Sequence, residues 1–211
     1  MEFFFSDAHG AIDFPVGFDF LDKELQQSAP DAERGRRTVD KLVRVHMYGG
    51  GEVWALIHIE IQAHRDTDFE RRMFIYWYRI FDRYARSVAS FAILADDQPS
   101  WRPERFESSF LGSHARFVFP SAKLVDYAGH ESELETSSNP FSVVVLAHLA
   151  ALKTRGKAQE RLEAKFRLAR MLYERGYNRS DIVDLFRFID WVMALPIELS
   201  REFRSRLSRY E

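Results

Sequence analysis

The chain has 211 residues, and its content of 46% hydrophobic and 15% aromatic residues indicates a folded protein rather than a disordered one. Its formal net charge of −2 provides no overall attraction to nucleic acid or to an anionic membrane, so any DNA contact must come from a local basic patch. It contains no cysteine, which excludes disulfides, thiol catalysis and cysteine-based zinc sites. Because it has no apolar run of about 18–20 residues and no cleavable leader, we expect a cytoplasmic protein without a membrane partner.

The first predicted elements are a short helix and a β-hairpin. The segment FDFLDKELQQ (Phe18–Gln27) is predicted to be helical, and the polar segment SAPDAERGRR after it is predicted to be a loop. Residues 39–62 then form two predicted strands joined by Gly49–Gly51. A three-residue glycine loop centres the turn on Gly50, because glycine adopts the left-handed conformation without strain.

This hairpin brings two carboxylates together. Side chains alternate along a strand, and the odd positions are mostly apolar, whereas the even positions include Asp40, Glu60 and Gln62. A turn centred on Gly50 places Asp40 directly opposite Glu60, with Cβ atoms about 4.5–5.5 Å apart. Like charges repel at this distance, and a divalent cation such as Mg²⁺ between them removes the penalty. The alternatives are that the polar face is simply solvated, or that a register slip of one residue separates the two acids.

The middle of the chain contains a helix and two strands. Between Asp68 and about Arg86 the apolar residues recur at helical spacing, which predicts a helix whose aromatic stripe is core rather than a base-stacking surface. Val88–Asp96 is a predicted buried strand, and Ala115–Phe119 is a second strand candidate. Trp101, which stands between two prolines, is predicted to anchor a packed loop.

The chain after about Glu135 is predicted to be entirely helical. One helix has Asn139 as its N-cap and Pro140 at its first position, and it ends near Gly156. A second helix stops at Gly176, and a third begins with Ser180 as its cap. The segment from Pro196 onward is predicted to be a fourth helix.

These sequence motifs resemble a known nuclease superfamily. A carboxylate on one strand, followed by acid-x-Lys or acid-x-Gln on the next, resembles the PD-(D/E)xK pattern. More narrowly, FLDKELQQ, RRTVDKLVRV, LIHIEIQ, FERRMFIYWYRIFDRY and SFAILADD followed by WRP resemble the Rpn family of bacterial recombination-promoting nucleases, which are often labelled putative transposases. The likeness covers most of the chain, including the helical segment LYERGYNRSDIVDLFRFIDWVMALP.

This resemblance implies a fold and an activity. The implied fold is α/β, with a restriction-endonuclease-like core (a mixed central β-sheet flanked by helices) over residues 1–136 and a helical C-terminal region, residues 137–211, that packs on the core. The implied activity is that of a Mg²⁺-dependent DNA endonuclease that hydrolyses phosphodiester bonds in recombination, with Mn²⁺ as the expected substitute. Many nucleases of this fold cut both strands as dimers, so the resemblance allows a homodimer.

The family's functional positions transfer to individual residues. The metal-binding aspartate falls on Asp40, the second acid on Glu60 and the final motif position on Gln62, while Glu24 takes the place of a supporting acid. Asp40, Glu60 and the carbonyl of Ile61 are expected to hold the ion. Most of the superfamily has lysine where this chain has Gln62, whereas glutamine is the usual residue at this position in the Rpn family. Glutamine can orient a water but cannot carry charge.

Four arginines are candidates for binding the DNA phosphates next to the cut: Arg36, Arg37, Arg71 and Arg72. The alternative for these arginines is a solvated face, or pairing within the chain with Asp66, Asp68 and Glu70.

Two other functional interpretations remain open. The chain can be a DNA-binding or assembly module that keeps the nuclease fold with little activity, or a protein-interaction component with no role on nucleic acid. His58, Glu60 and His64 form a weaker candidate set for a transition metal. The basic last helix is open to DNA binding, to self-association or to a solvated face.

Overall fold

The computed structural model describes residues 1–21, 38–49, 52–60 and 65–209, with the backbone alone at 38–40 and 52–60. Within these ranges the protein is of mixed α/β class and divides into two compact units, Met1–Lys123 and Leu124–Glu211. The domain boundary predicted after residue 136 stays a prediction, and the division by packing falls after Lys123. None of the described helices is long and apolar enough to span a bilayer.

The first unit is built on a five-stranded mixed sheet. In spatial order its strands are β1 (Phe18–Phe20), β2 (Thr38–His46), β3 (Glu52–Glu60), β4 (Val88–Leu94) and β7 (Ser121–Lys123). Strand β2 is antiparallel to both of its neighbours, whereas β3, β4 and β7 are mutually parallel. The strands β5 (Arg105–Phe110) and β6 (Ser113–Val118) form a separate antiparallel hairpin.

One face of the sheet is covered by α2 (Phe69–Tyr84), the helix that connects the parallel strands β3 and β4. Its residues Tyr76 and Ile80 pack on Leu42 of β2, which is fully buried. Nearer the start of the helix, Phe69 and Met73 join the core cluster that includes Leu94 of β4. The prediction that the aromatic stripe of this helix is core is therefore confirmed.

The opposite face of the sheet is covered by the N-terminal segment. This segment contains the short helix α1 (Ser6–Gly10) and a single 3-10 turn at Phe14–Val16. Ile12 packs against Val43 and Val45 of β2 in a buried cluster. Strand β2 is thus buried on both faces along part of its length, which explains why apolar residues occupy both its odd and its even positions.

Several sequence predictions in this unit are confirmed and one is wrong. The predicted strand at Val88–Asp96 is β4, the candidate at Ala115–Phe119 falls on β6, and Trp101 is buried in the core. The helix predicted from Phe18 is wrong at its start, because Phe18–Phe20 is a strand that pairs with Val43–Val45. The rest of that predicted helix lies outside the described residues, as does Glu24.

The second unit is helical, as the sequence predicts for the last third of the chain. After a 3-10 turn at Leu124–Tyr127, its helices are α3 (Glu131–Thr136), α4 (Phe141–Lys153), α5 (Ala158–Glu174), α6 (Arg179–Val192) and α7 (Ile197–Leu207). Leu162 and Ala169 of α5 pack with Phe203 and Leu207 of α7 in its core.

Two predicted helix caps of this unit are corrected by the structure. Helix α4 begins at Phe141 with Pro140 at the cap position, one residue later than predicted, and the Asn139 side chain accepts a hydrogen bond from the Phe141 N–H at 3.0 Å. The cap of α6 is Asn178 and not Ser180, because Asn178 Oδ1 accepts from the Asp181 N–H at 2.9 Å. Asparagine satisfies the free backbone donor as well as serine does, and it does so two residues earlier than predicted.

Candidate functional site

The tip of the β2–β3 hairpin differs from the prediction. His46 pairs with Glu52, and the paired residue numbers along the ladder sum to 98 instead of 100. The turn is therefore centred on Gly49, which has a φ of 89°, a left-handed value that glycine adopts without strain. The prediction that Asp40 lies directly opposite Glu60 is wrong: Asp40 pairs with His58, and Glu60 pairs with Thr38.

Contacts from the N-terminal segment explain the displaced turn. Met47 forms an isolated β-bridge with Ile12, and the Tyr48 N–H donates to the Ala11 carbonyl at 3.1 Å. These bonds engage the end of β2 with a segment more than thirty residues earlier in the chain. The hairpin turn follows these residues and is centred on Gly49. The register is therefore set by contacts with residues outside the hairpin.

The observed register keeps the two carboxylate positions on one face of the ladder. A displacement of the turn by one residue moves each pairing by two positions, and side chains alternate with a period of two. Positions 40 and 60 are consequently diagonal neighbours on the same face, with a typical separation of about 7–8 Å for such a pair. In this register Asp40 and Glu60 are not directly opposite each other, so the repulsion expected in the predicted register is avoided.

The face that carries these two positions is the one on which α2 packs. Position 40 lies two residues before Leu42, and Leu42 is fully buried against Tyr76 and Ile80 of α2. At the level of Leu42 this face belongs to the core, so the simplest alternative, a fully solvated polar face, does not hold there. The acids at positions 40 and 60 stand beyond that level, toward the end of β3.

Two residues that the sequence analysis missed lie at the same end of the sheet. In the parallel part of the sheet Glu60 pairs with Leu94, and Leu94 pairs with Lys123. Lys123 forms a buried ion pair with Asp96, with an N–O distance of 2.5 Å. An aspartate directly after a buried strand was the available signal, because ligand sites in sheets with parallel strands gather at the carboxyl ends of those strands.

The two described arginine candidates are both paired within the chain. Arg72 contacts Asp66 at 2.8 Å, and both side chains are largely buried. Arg71 lies 3.5 Å from Asp68, and both of these side chains are exposed. Intramolecular pairing, the alternative stated for these residues, is therefore observed, and phosphate binding by them stays a prediction.

The remaining candidates lie outside the described residues. This applies to Glu24, Arg36, Arg37, Ile61 and Gln62, and also to His64 of the alternative metal set. Asp40, His58 and Glu60 are described by their backbone alone. Where side chains are described, no group of three or more histidine, aspartate or glutamate residues is arranged to hold a metal ion. The predicted metal set is therefore not tested by that finding.

Comparison with known proteins adds no relative. No family model, no curated protein and no solved structure has a significant match to this chain.

Proposed function

We propose that this protein is a metal-dependent DNA endonuclease of the recombination-promoting type, with a restriction-endonuclease-like core. The observation that carries the proposal is the register of the β2–β3 hairpin, in which Asp40 and Glu60 hold diagonal positions on one face. The mixed sheet and the helix α2 that covers this face support the proposed core. The proposed partners are DNA and a second copy of the chain, and the proposed location is the cytoplasm.

The donor set fits a hard divalent cation. Mg²⁺ prefers carboxylate and carbonyl oxygens and keeps several waters, and we assign Asp40, Glu60 and the Ile61 carbonyl to it, with Mn²⁺ as substitute. Such an ion, when bound, polarises a phosphate and lowers the pKa of a coordinated water. The role of Gln62 is to orient the attacking water through its amide, which both donates and accepts hydrogen bonds. Glu24 is the proposed supporting acid.

One sequence feature favours a second candidate function. Gln62 stands where most of the superfamily has lysine, so the chain lacks the charge that a lysine would bring to the phosphate. A DNA-binding or assembly module with the same fold and little activity would tolerate this exchange. The two functions differ in whether DNA is cut.

The first experiment measures nicking of supercoiled plasmid DNA with Mg²⁺ and with Mn²⁺. Asp40→Asn and Glu60→Gln are expected to abolish the nicking and to lower Mn²⁺ affinity in a calorimetric titration, because each removes a charged ligand. Lys41→Gln is the matched control, since Lys41 alternates to the opposite face and its ammonium lies 5.9 Å from the Phe20 ring centre. Cleavage that survives in both acid variants would exclude the proposed site.

The second experiment separates the binding module from a protein with no role on nucleic acid. In a gel-shift titration across salt concentrations, phosphate contacts must weaken as salt rises. A wild-type protein that shifts DNA but never cuts it would establish the binding module. A protein that shifts no DNA even at low salt would contradict both functions.

A further inference from the structure

A groove of about 620 Å³ lies in the first unit between α2, the first half of β4 and strand β6. Its walls are aromatic and include Phe74, Trp77 and Phe117. The Trp77 ring lies 5.3 Å from the Phe117 ring, and Phe74 is 6.0 Å from Phe117, so the three rings support one another. The volume is in the range of small-molecule sites, about 300–1,000 Å³.

The groove contains a buried hydroxyl group without a partner. Ser90 of β4 lines the groove and is only 4% exposed, and its Oγ has no hydrogen-bond partner among the described residues. A buried polar group without a hydrogen bond destabilises a protein, so native structures retain few of them. A ligand that bonds this hydroxyl would remove that cost.

The backbone at Ser90 points into the same groove. On this edge of β4 the Val88 carbonyl accepts from Trp77 Nε1 at 3.0 Å, and the Ala92 N–H donates to the Pro120 carbonyl at 3.0 Å. Backbone groups of alternate residues face the same edge of a strand, so the N–H and C=O of Ser90 face it too.

Proline explains why the sheet stops short of this position. The β4–β7 ladder covers Ala92, Ile93 and Leu94. One more rung would need the backbone N–H of residue 120 to donate to the Ser90 carbonyl, and Pro120 has no N–H. The ladder therefore leaves one donor, one acceptor and one hydroxyl group side by side at Ser90.

This set suits the edge of a nucleobase better than a peptide strand. An added strand needs several successive backbone pairs, and here the next carbonyl on the edge, that of Val88, is already bonded to Trp77. A nucleobase presents a donor and an acceptor side by side on one edge, and its ring packs on aromatic side chains such as the partly exposed Trp77.

The rim of the groove carries one exposed arginine. Arg116 lines the groove and is 59% exposed, and its Nε lies 3.3 Å from Glu107 in a pair that is open to solvent. His114, also on the rim, bonds Ser109 at 2.6 Å through Nδ1. A single arginine matches the one charge of a phosphodiester better than the several charges of a free nucleotide. These features favour a nucleotide within a strand.

We propose that this groove binds one unpaired nucleotide of a DNA strand, with the base packed against Trp77, its edge bonded to Ser90 and its phosphate next to Arg116. The choice of DNA rests on the function proposed above. The site is separate from the hairpin carboxylates, and binding there does not require cleavage.

The test measures binding of a fluorescein-labelled oligothymidylate of about ten nucleotides by fluorescence anisotropy, in EDTA so that no metal contributes. Ser90→Ala is expected to weaken binding about five- to tenfold, since one hydrogen bond to the base is lost. The same variant is expected to raise the melting temperature of the free protein by about 2–4 °C, because it removes a buried group that bonds nothing. Unchanged affinity, or a lower melting temperature, would overturn the proposal.

A pair of arginine variants supplies the matched control. Arg116 and Arg105 both contact Glu107, at 3.3 and 3.7 Å, but Arg105 is not part of the groove. Arg116→Gln is expected to reduce the slope of log Kd against log salt by about one, and Arg105→Gln to leave it unchanged. Equal slopes in the two variants would refute the phosphate contact. Thymidine monophosphate that competes as well per molecule as the oligonucleotide would overturn the assignment to a strand.

Discussion

Lys123 and Asp96 form an ion pair that is almost completely excluded from solvent, with Nζ 2.5 Å from Oδ2. The same ammonium donates to the Trp101 carbonyl at 2.9 Å, and the second carboxylate oxygen accepts from the Gln98 N–H at 2.8 Å. Removal of two charges from water is costly unless each finds its partners, and here both do. The pair thus fastens β7 to the loop that follows β4, at the end of the sheet where Glu60 lies.

We expect Lys123→Met to lower the free energy of unfolding by about 3–5 kcal/mol, because it leaves the Asp96 carboxylate buried without its cation. Urea denaturation followed by circular dichroism measures this. In the double variant Lys123→Met/Asp96→Leu most of the loss is expected to return, since no buried charge remains.

An exposed pair serves as the control for this prediction. Lys157 contacts Glu160 at 3.1 Å, and both side chains are more than half exposed. Lys157→Met is expected to change the unfolding free energy by less than about 1 kcal/mol, because solvent screens such pairs. If Lys123→Met lowers the unfolding free energy no more than Lys157→Met does, the buried pair does not stabilise the attachment of β7.

A second ion pair gives a prediction about pH. Arg206 binds Glu163 through two hydrogen bonds, of 2.5 and 2.8 Å, and these bonds hold the pKa of Glu163 below its usual value. A carboxylate whose pKa is lower in the folded state adds stability above its unfolded pKa, about 4.3, and loses it as the pH falls through the folded value. Arg206→Gln should therefore cost stability at neutral pH but not in strong acid.

The expected cost of Arg206→Gln at pH 7 is about 0.3–1 kcal/mol, because the pair is partly exposed and screened. Urea denaturation at pH 7 and near pH 3 is the measurement. The control is Arg201→Gln, because Arg201 is an exposed arginine of the same helix. A difference between wild type and Arg206→Gln that persists unchanged into acid would contradict the assignment to Glu163.

The sequence predicted elements well where their signals are local. Helix α2 shows a 3.6-residue apolar period, and α4 begins directly after an Asn-Pro pair, so each carries its own evidence. Strand β4 is a short apolar run with a turn after it. These features need no knowledge of distant residues.

The predictions that are wrong concern features that depend on contacts between residues far apart in the sequence. The hairpin register depends on the bridge from Met47 to Ile12, and the strand Phe18–Phe20 exists because Val43–Val45 lies next to it. Neither contact can be seen in the local pattern, and tertiary pairing overrides weak propensity. Asp40 and Glu60 were assigned to one face because side chains alternate along a strand. A shift of the pairing by two residues preserves that alternation, so both positions stay on the same face.

Leu42 offers a test of the face on which the candidate acids lie. It is fully buried against α2, so Leu42→Ala is expected to lower the unfolding free energy by about 2–5 kcal/mol through lost burial and the cavity that remains. Leu111, which is 89% exposed, is the control, and Leu111→Ala should have an effect within about 0.5 kcal/mol. If Leu42→Ala were as mild as its control, this face of β2 would not be packed beneath α2.

Gln62→Lys tests the proposed chemistry from the opposite direction, by a gain instead of a loss. A lysine at this position can stabilise negative charge that develops on the phosphate, which a glutamine amide does only through its dipole. We therefore expect the nicking rate with Mg²⁺ to rise about tenfold or more, while Gln62→Ala lowers it and all three proteins bind DNA with similar affinity. The measurement is single-turnover cleavage of supercoiled plasmid. Because Asp40→Asn in the Gln62→Lys background must remove the gain, a faster reaction that survives this second substitution would place the cutting elsewhere in the protein.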